Sequence, residues 1–136
     1  MTFANPEYVV ITYGTFDLFH FGHVELLRRA RGLGTKLIVG CSTDSFNIRK
    51  GKRAVIPYEH RKHVLLSCRF VDEVFPEDSW DQKEEDIAKY NAKVFVMGDD
   101  WHGAFDSLKR LVQVVYLPRT INVSSSEIRR NLHEAS

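Results

Sequence analysis

The chain has 136 residues, 43% of them hydrophobic and 27% charged, with a formal net charge of +1. That length suits one domain burying its own core, and the even charge balance argues against an extended nucleic-acid groove. No apolar run approaches the roughly 18 residues of a membrane span, and Met1 to Glu7 lack the basic and apolar stretches of a secretory signal.

The first predicted element is a buried strand over Tyr8 to Tyr13, which runs into Gly14-Thr15-Phe16-Asp17. A helix follows, with an apolar stripe of Val24, Leu27 and Ala30 joined by Leu26 and Leu33. At its entrance stand His20 and His23, three apart, with Gly22 between them. Free N–H groups and the helix dipole favour a phosphate there, so the two imidazoles read as an oxyanion cradle, with plain capping or packing as the alternative. Leu37 to Cys41 is the second strand, and Asn47 to Arg53 then reads as a loop carrying four cations around Gly51. Such a run is either a solvated surface or a phosphate site; its place after a strand favours Lys50 and Lys52 as mobile point charges for phosphate.

Pro57 marks the start of a second helix with Val64, Leu65, Cys68 and Val71 on its apolar side. His60 and His63 have chelating spacing, yet no Cys, Asp or Glu pattern completes a site, so they read as a solvated face and no metal site is expected. Cys41 and Cys68 lie in apolar segments, as small hydrophobes of a reducing compartment, and the expected location is cytoplasmic. Val74 to Phe75 is a short strand, and Ser79-Trp80-Asp81-Gln82 has capping-box spacing for a third helix. Val94 to Met97 and Val112 to Leu117 complete the strands. Beyond them, Pro118 to Ser126 gathers hydroxyls and amides at a last helix start, where Ser124 and Glu127 have capping spacing and Arg119 offers a bidentate phosphate clamp.

Strands alternating with helices imply right-handed crossovers and an α/β domain: a parallel sheet of about five strands with helices on both faces. Ligands then bind beyond the carboxyl ends of the strands, which here are Gly14 to His23, Thr43 to Arg53, Pro76 to Lys83, Gly98 to Gly103 and Pro118 to Ser126. No Ser-His-Asp set, P-loop or dinucleotide fingerprint appears, nor a strong base to deprotonate an alcohol. A phosphate monoester, with a second pKa of about 6, attacks phosphorus without one.

Together, Gly14 to His23, Asn47 to Lys52, Met97-Gly98-Asp99-Asp100-Trp101 and Arg119 to Ser126 resemble the glycerol-3-phosphate cytidylyltransferase family, from about Tyr8 to Arg129. The resemblance implies a Rossmann-like single domain filling the chain, with its core over about residues 8–133, and a homodimer. It implies transfer of CMP from CTP to glycerol 3-phosphate, Mg²⁺ travelling with the CTP, and catalytic roles for His20, His23, Lys50 and Arg119. Thr15, Phe16, Phe21, Gly22 and Lys52 would serve CTP, with Thr120, Ser124, Ser125 and Ser126 on its triphosphate, while Lys50 and Lys83 would face the acceptor phosphate. Asp17, Arg69, Asp72 and Asp100 match positions that organise the site. The family's ending runs Arg-Thr-x-Gly-x-Ser-Thr-Thr, whereas this chain has Asn122 for the glycine and Ser125-Ser126 for the threonines. An adenylyltransferase of the FAD-synthetase kind, or a cytidylyltransferase for another polyol phosphate, is the alternative.

Overall fold

The computed structural model describes residues 6–119 and 128–132. The five apolar runs form β1 (Val9–Gly14), β2 (Lys36–Ser42), β3 (Glu73–Glu77), β4 (Ala92–Gly98) and β5 (Gln113–Leu117). All pair in parallel, in the order β3-β2-β1-β4-β5. From β1 the chain winds outward through β2 to β3, crosses back to β4 on the other side of β1, and ends at β5. The reversal opens a crevice past the carboxyl ends of β1 and β4. Pro76 lies on the edge strand β3, where its missing N–H leaves no central ladder bond unmade.

Four α-helices link the strands: α1 (Phe21–Arg31), α2 (Asp44–Arg49), α3 (Tyr58–Ser67) and α4 (Lys83–Lys89). Alternation along β1 explains why they cover both faces. Val9, Ile11 and Tyr13 join a cluster with Ile87 of α4, while Val10 joins another with Leu27 and Ala30 of α1 and Leu65 of α3. Burying a Val, Leu or Ile side chain contributes about 1.5–3 kcal/mol, against about 0–1 kcal/mol for an exposed ion pair, so these two layers dominate the stability.

Several local readings change in three dimensions. The basic segment is not loop from its start, because α2 takes Asp44–Arg49. Thr43 caps that helix, its Oγ1 accepting from Phe46 N at 3.2 Å, and Phe46 and Asn47 are buried. A capped turn anchored by an aromatic plug outweighs the charge pattern, leaving Lys50 as the C-cap and Gly51, at φ +77°, to turn the chain outward. Pro57 is the N-cap of α3 rather than its first residue. Val64 and Leu33, expected in the apolar stripes, are 39% and 40% exposed. His60 and His63 are exposed on α3, as a solvated face requires. The Ser79 capping box does form, opening a 3-10 turn (Trp80–Gln82) that leads into α4. The Ser124–Glu127 box lies outside the described residues.

The apolar face of α3 carries Arg61, which is 1% exposed. Its guanidinium donates to the carbonyls of Ile56 at 2.8 Å, Thr15 at 2.8 Å and Ser42 at 2.7 Å, and to the Asp44 carboxylate at 2.7 Å. One side chain therefore ties the ends of β1 and β2 to α2 and to the loop before α3. Arg61→Ala would strip a donor from the buried Ser42 carbonyl and from the half-buried carbonyls of Ile56 and Thr15, and at about 1–3 kcal/mol for a buried group left unpaired is expected to lower stability by roughly 3 kcal/mol. Urea unfolding measures this, and an unchanged midpoint would count against the hub role.

Candidate active site

A cavity of about 590 Å³ opens in the crevice at the switch in strand order. Its β1 side is made by Tyr13 to Asp17, and in the loop that runs on from β1 Phe16 and Leu18 have φ of +54° and +52°. Left-handed backbone costs non-glycine residues about 1–2 kcal/mol each, so the loop needs an anchor. Asp17, 3% exposed, provides it by accepting from Val55 N at 2.7 Å and Ile56 N at 2.9 Å, and by pairing with Arg129. Burial alone would raise the Asp17 carboxyl, but the two N–H donors and Arg129 outweigh it and hold the group below the ordinary carboxylate range. The same bonds pin the basic segment over the cavity. Gly14 completes the loop, since a Cβ there would stand 2.9 Å from the Phe16 ring.

The two histidines cap α1 reciprocally. His20, the N-cap, accepts from Gly22 N through Nδ1 at 3.0 Å, while its own N–H donates to His23 Nδ1 at 3.2 Å. The geometry is that of a capping box with imidazoles in place of a hydroxyl and a carboxylate. With both Nδ1 atoms accepting, each neutral ring carries its proton on Nε2. The rings lie 3.9 Å apart between centroids, and Phe16 and Phe19 flank His23 at 5.4 and 5.5 Å. Burial lowers His20, and it lowers His23 to about 4, with the neighbouring His20 adding to the effect and Asp17 opposing it. The pair is therefore a set of neutral donors at neutral pH, and Nε2 of His20 is buried with no partner among the described residues. Capping and cradling, alternatives in sequence, use different nitrogens and coexist.

The opposite wall is basic and aromatic. Lys50 Nζ donates to Ser42 Oγ at 3.1 Å, and Ser42 Oγ donates to Glu77 Oε1 at 2.8 Å. Lys83, the first residue of α4 and only 5% exposed, pairs with Glu77 Oε2 at 2.7 Å. Its Nζ stands 4.6 Å from the Tyr13 ring centroid, 5.2 Å from Trp80 and 5.5 Å from Phe105. Burial lowers the Lys50 ammonium; Glu77 opposes that, and Lys52, Lys83 and Arg61 add to it. Cys41 is no nucleophile here, because burial pushes its thiol up to about 11.

Of the residues singled out from sequence, Thr15, Phe16, His23, Lys50, Lys52, Lys83, Asp17 and Asp100 share the cavity wall. His20 backs His23, and Gly22 supplies the capping N–H. Phe21 is 61% exposed on the first turn of α1, and Arg119 is exposed two residues past β5; neither is in that wall. Asp72 accepts from Leu37 N at 2.8 Å, near the amino end of β2 and away from the cavity, and Arg69 is exposed. Thr120, Asn122, Ser124, Ser125 and Ser126 lie outside the described residues. Sequence reading passed over Glu77, Tyr13, Phe105 and Arg61. Two of them leave a signal, Arg61 as a charge one turn before Leu65 on the buried side of α3 and Glu77 by its place in the ligand-edge segment Pro76 to Lys83.

Residues 11–131 match the family described as cytidylyltransferase-like. The chain is 56% identical over 123 residues to a glycerol-3-phosphate cytidylyltransferase of Bacillus subtilis (strain 168), covering 90% of this chain and 95% of that protein. It is 54% identical over 124 residues to the protein of that name from Staphylococcus aureus (strain NCTC 8325 / PS 47), covering 91% and 94%. Among solved structures, a lipopolysaccharide core biosynthesis protein of Thermoplasma volcanium GSS1 aligns with a TM-score of 0.76 at 20% identity, over 85% of this chain and 99% of that one, a likeness of fold.

The His23 environment makes a testable claim about protons. Its folded value, about 4, lies below the ordinary 6.5, so its contribution to stability is complete above pH 6.5 and is lost as pH falls towards 4. An NMR titration of the His23 ring should give a midpoint near 4; a midpoint at the ordinary value would refute the desolvated placement.

Proposed function

The chain belongs to the cytidylyltransferase-like family, and from that membership we propose that it transfers CMP from CTP to glycerol 3-phosphate, forming CDP-glycerol and releasing pyrophosphate. The high identity over nearly the full length of both relatives supports this acceptor and this nucleotide over an adenylyl transfer. The structural observation that carries the chemistry is the histidine pair, two neutral imidazoles whose Nδ1 atoms are committed to the backbone and whose Nε2–H groups remain as donors.

In the proposed reaction, an oxygen of the acceptor phosphate attacks the α-phosphorus of CTP in line. The new P–O bond forms as the bond to the β-phosphate bridging oxygen breaks, and pyrophosphate carries away the negative charge. No general base is needed, because the attacking monoester is already largely ionised at neutral pH. His20 and His23 donate to the α-phosphate oxygens as their charge grows, an interaction strongest in the transition state. Thr15, Phe16, Gly22 and Lys52 serve the nucleotide and Lys50 and Lys83 draw in the acceptor phosphate; Phe21 on the nucleotide and Arg119 on the departing pyrophosphate stand outside the cavity wall and rest on the family resemblance. The assignment of Thr120, Ser124, Ser125 and Ser126 to the triphosphate rests on the family resemblance.

Mg²⁺ enters as part of the substrate, as MgCTP; among the described residues no cluster of three or more His, Cys, Asp or Glu side chains is arranged for a metal of its own. The reading includes a homodimer and a cytoplasmic location. The two free thiols suit a reducing compartment, and none of the described helices is long and apolar enough to cross a membrane.

Two measurements test the reading. His23→Ala should lose about 10²–10³ in turnover, as when one oxyanion donor is removed, while the variant stays folded; near-normal turnover would remove the ring from the chemistry. Pyrophosphate release with glycerol 3-phosphate is expected with CTP and not with ATP, and the reverse preference would overturn the nucleotide assignment.

A further inference from the structure

Among the charged groups of the cavity wall with no part in the chemistry above is Glu77. At the carboxyl end of β3, it is 3% exposed. Its Oε2 accepts from Lys83 at 2.7 Å, and its Oε1 accepts from Ser42, whose hydroxyl accepts from Lys50 at 3.1 Å. With side chains 6% and 4% exposed, the Lys83–Glu77 pair is a poor device for stability, because desolvating two ions offsets most of their attraction. What such a pair does achieve is direction. A lysine ammonium is a point charge with three rotatable donors on a flexible stem, so unaided it does not hold one aim. Tyr13, Trp80 and Phe105 surround the Lys83 ammonium, and Glu77 takes one of its donors.

We propose that Glu77 is a positioning residue for the acceptor: one buried carboxylate holds two lysine ammoniums, Lys83 directly and Lys50 through Ser42, in the cavity wall that receives the incoming phosphate. The inference rests on the reading that these lysines meet the acceptor. It carries a second consequence for charge. Lys50 is pushed down by burial and by the cations Lys52, Lys83 and Arg61, and Glu77 is the anion that resists them. Without Glu77, Lys50 loses its proton at lower pH.

Steady-state kinetics of the wild type, Glu77→Gln and Ser42→Ala, varying CTP and glycerol 3-phosphate separately from neutral to alkaline pH, test this. Glu77→Gln should raise KM for glycerol 3-phosphate about 10–100-fold, the worth of a hydrogen bond to a charged group, and leave KM for CTP unchanged. The alkaline limb of kcat/KM for the acceptor should move to lower pH. Ser42→Ala should raise the acceptor KM by a smaller factor, having lost only the Lys50 arm. A folded Glu77→Gln enzyme with the wild-type acceptor KM and alkaline limb overturns the proposal, as does an equal rise in both KM values. If circular dichroism shows that Glu77→Gln does not fold, Ser42→Ala decides, and an unchanged acceptor KM is the overturning result. Wild-type turnover of glycerol 3-phosphate checks the underlying reading separately: without turnover the acceptor assignment fails, and with it only the role of Glu77 is at stake.

Discussion

The site depends on one buried guanidinium. Arg61 reaches from α3 to the carbonyls at the ends of β1 and β2, to the loop before its own helix, and to Asp44 at the start of α2. Those segments carry the ligand-facing residues, and three of them offer Arg61 a backbone carbonyl, that of Ser42 buried and those of Thr15 and Ile56 half-buried. Leaving such groups unpaired costs more than desolvating one delocalised cation with donors in a fixed fork. Asp17 works in the complementary sense, with a carboxylate that gathers the N–H groups of Val55 and Ile56. Between them, the two side chains fasten the β1 loop and the basic segment to one another by both polarities of the backbone.

On that frame the site separates neutral donors from paired cations. The α1 entrance presents imidazoles kept uncharged by burial, suited to an oxygen that becomes more negative during the reaction. The far wall presents ammonium groups, suited to an anion that is charged before it arrives. A full positive charge beside the reacting centre would bind the ground state about as firmly as the transition state, whereas a neutral N–H gains most when charge develops. Glu77 fits the same division, since it tempers and aims two lysines without reducing either to a plain surface charge. The aromatic rings of Tyr13, Trp80 and Phe105 give this wall a low-dielectric lining, in which each charge interaction is stronger than in water.

Much of this was legible along the chain. The five strands and the ligand edge follow from apolar runs and their spacing, and the histidines, the lysines and the Met97 to Trp101 segment carried the family resemblance. The misreadings are equally physical. Charge density over Asn47 to Arg53 suggested a loop, and the Thr43 cap with the buried Phe46 made its beginning a helix. Apolar spacing puts Val64 and Leu33 inside, but Leu33 lies past Gly32, the C-cap of α1, and the buried positions of α3 go to Arg61 and Leu65.

Sequence by itself determined the α/β winding, the carboxyl edge as the place for ligands, and the residue types that meet a phosphate, because these follow from periodicities of two and 3.6 residues and from motifs a few residues long. Only the tertiary structure decided which nitrogen of each histidine holds the proton, that Lys83 is paired with Glu77, and that Arg61 is the hub. The first depends on hydrogen-bond directions at one helix end, which spacing alone does not encode. The Arg61 hub joins segments that the sheet brings to one edge, as in Thr15 to Arg61, 46 residues apart, and the Lys83–Glu77 pair, though only six residues apart, is reached across the sheet by Ser42, 35 residues from Glu77. No local pattern records a partner at that distance, so the pairing exists only once the strands have taken their order.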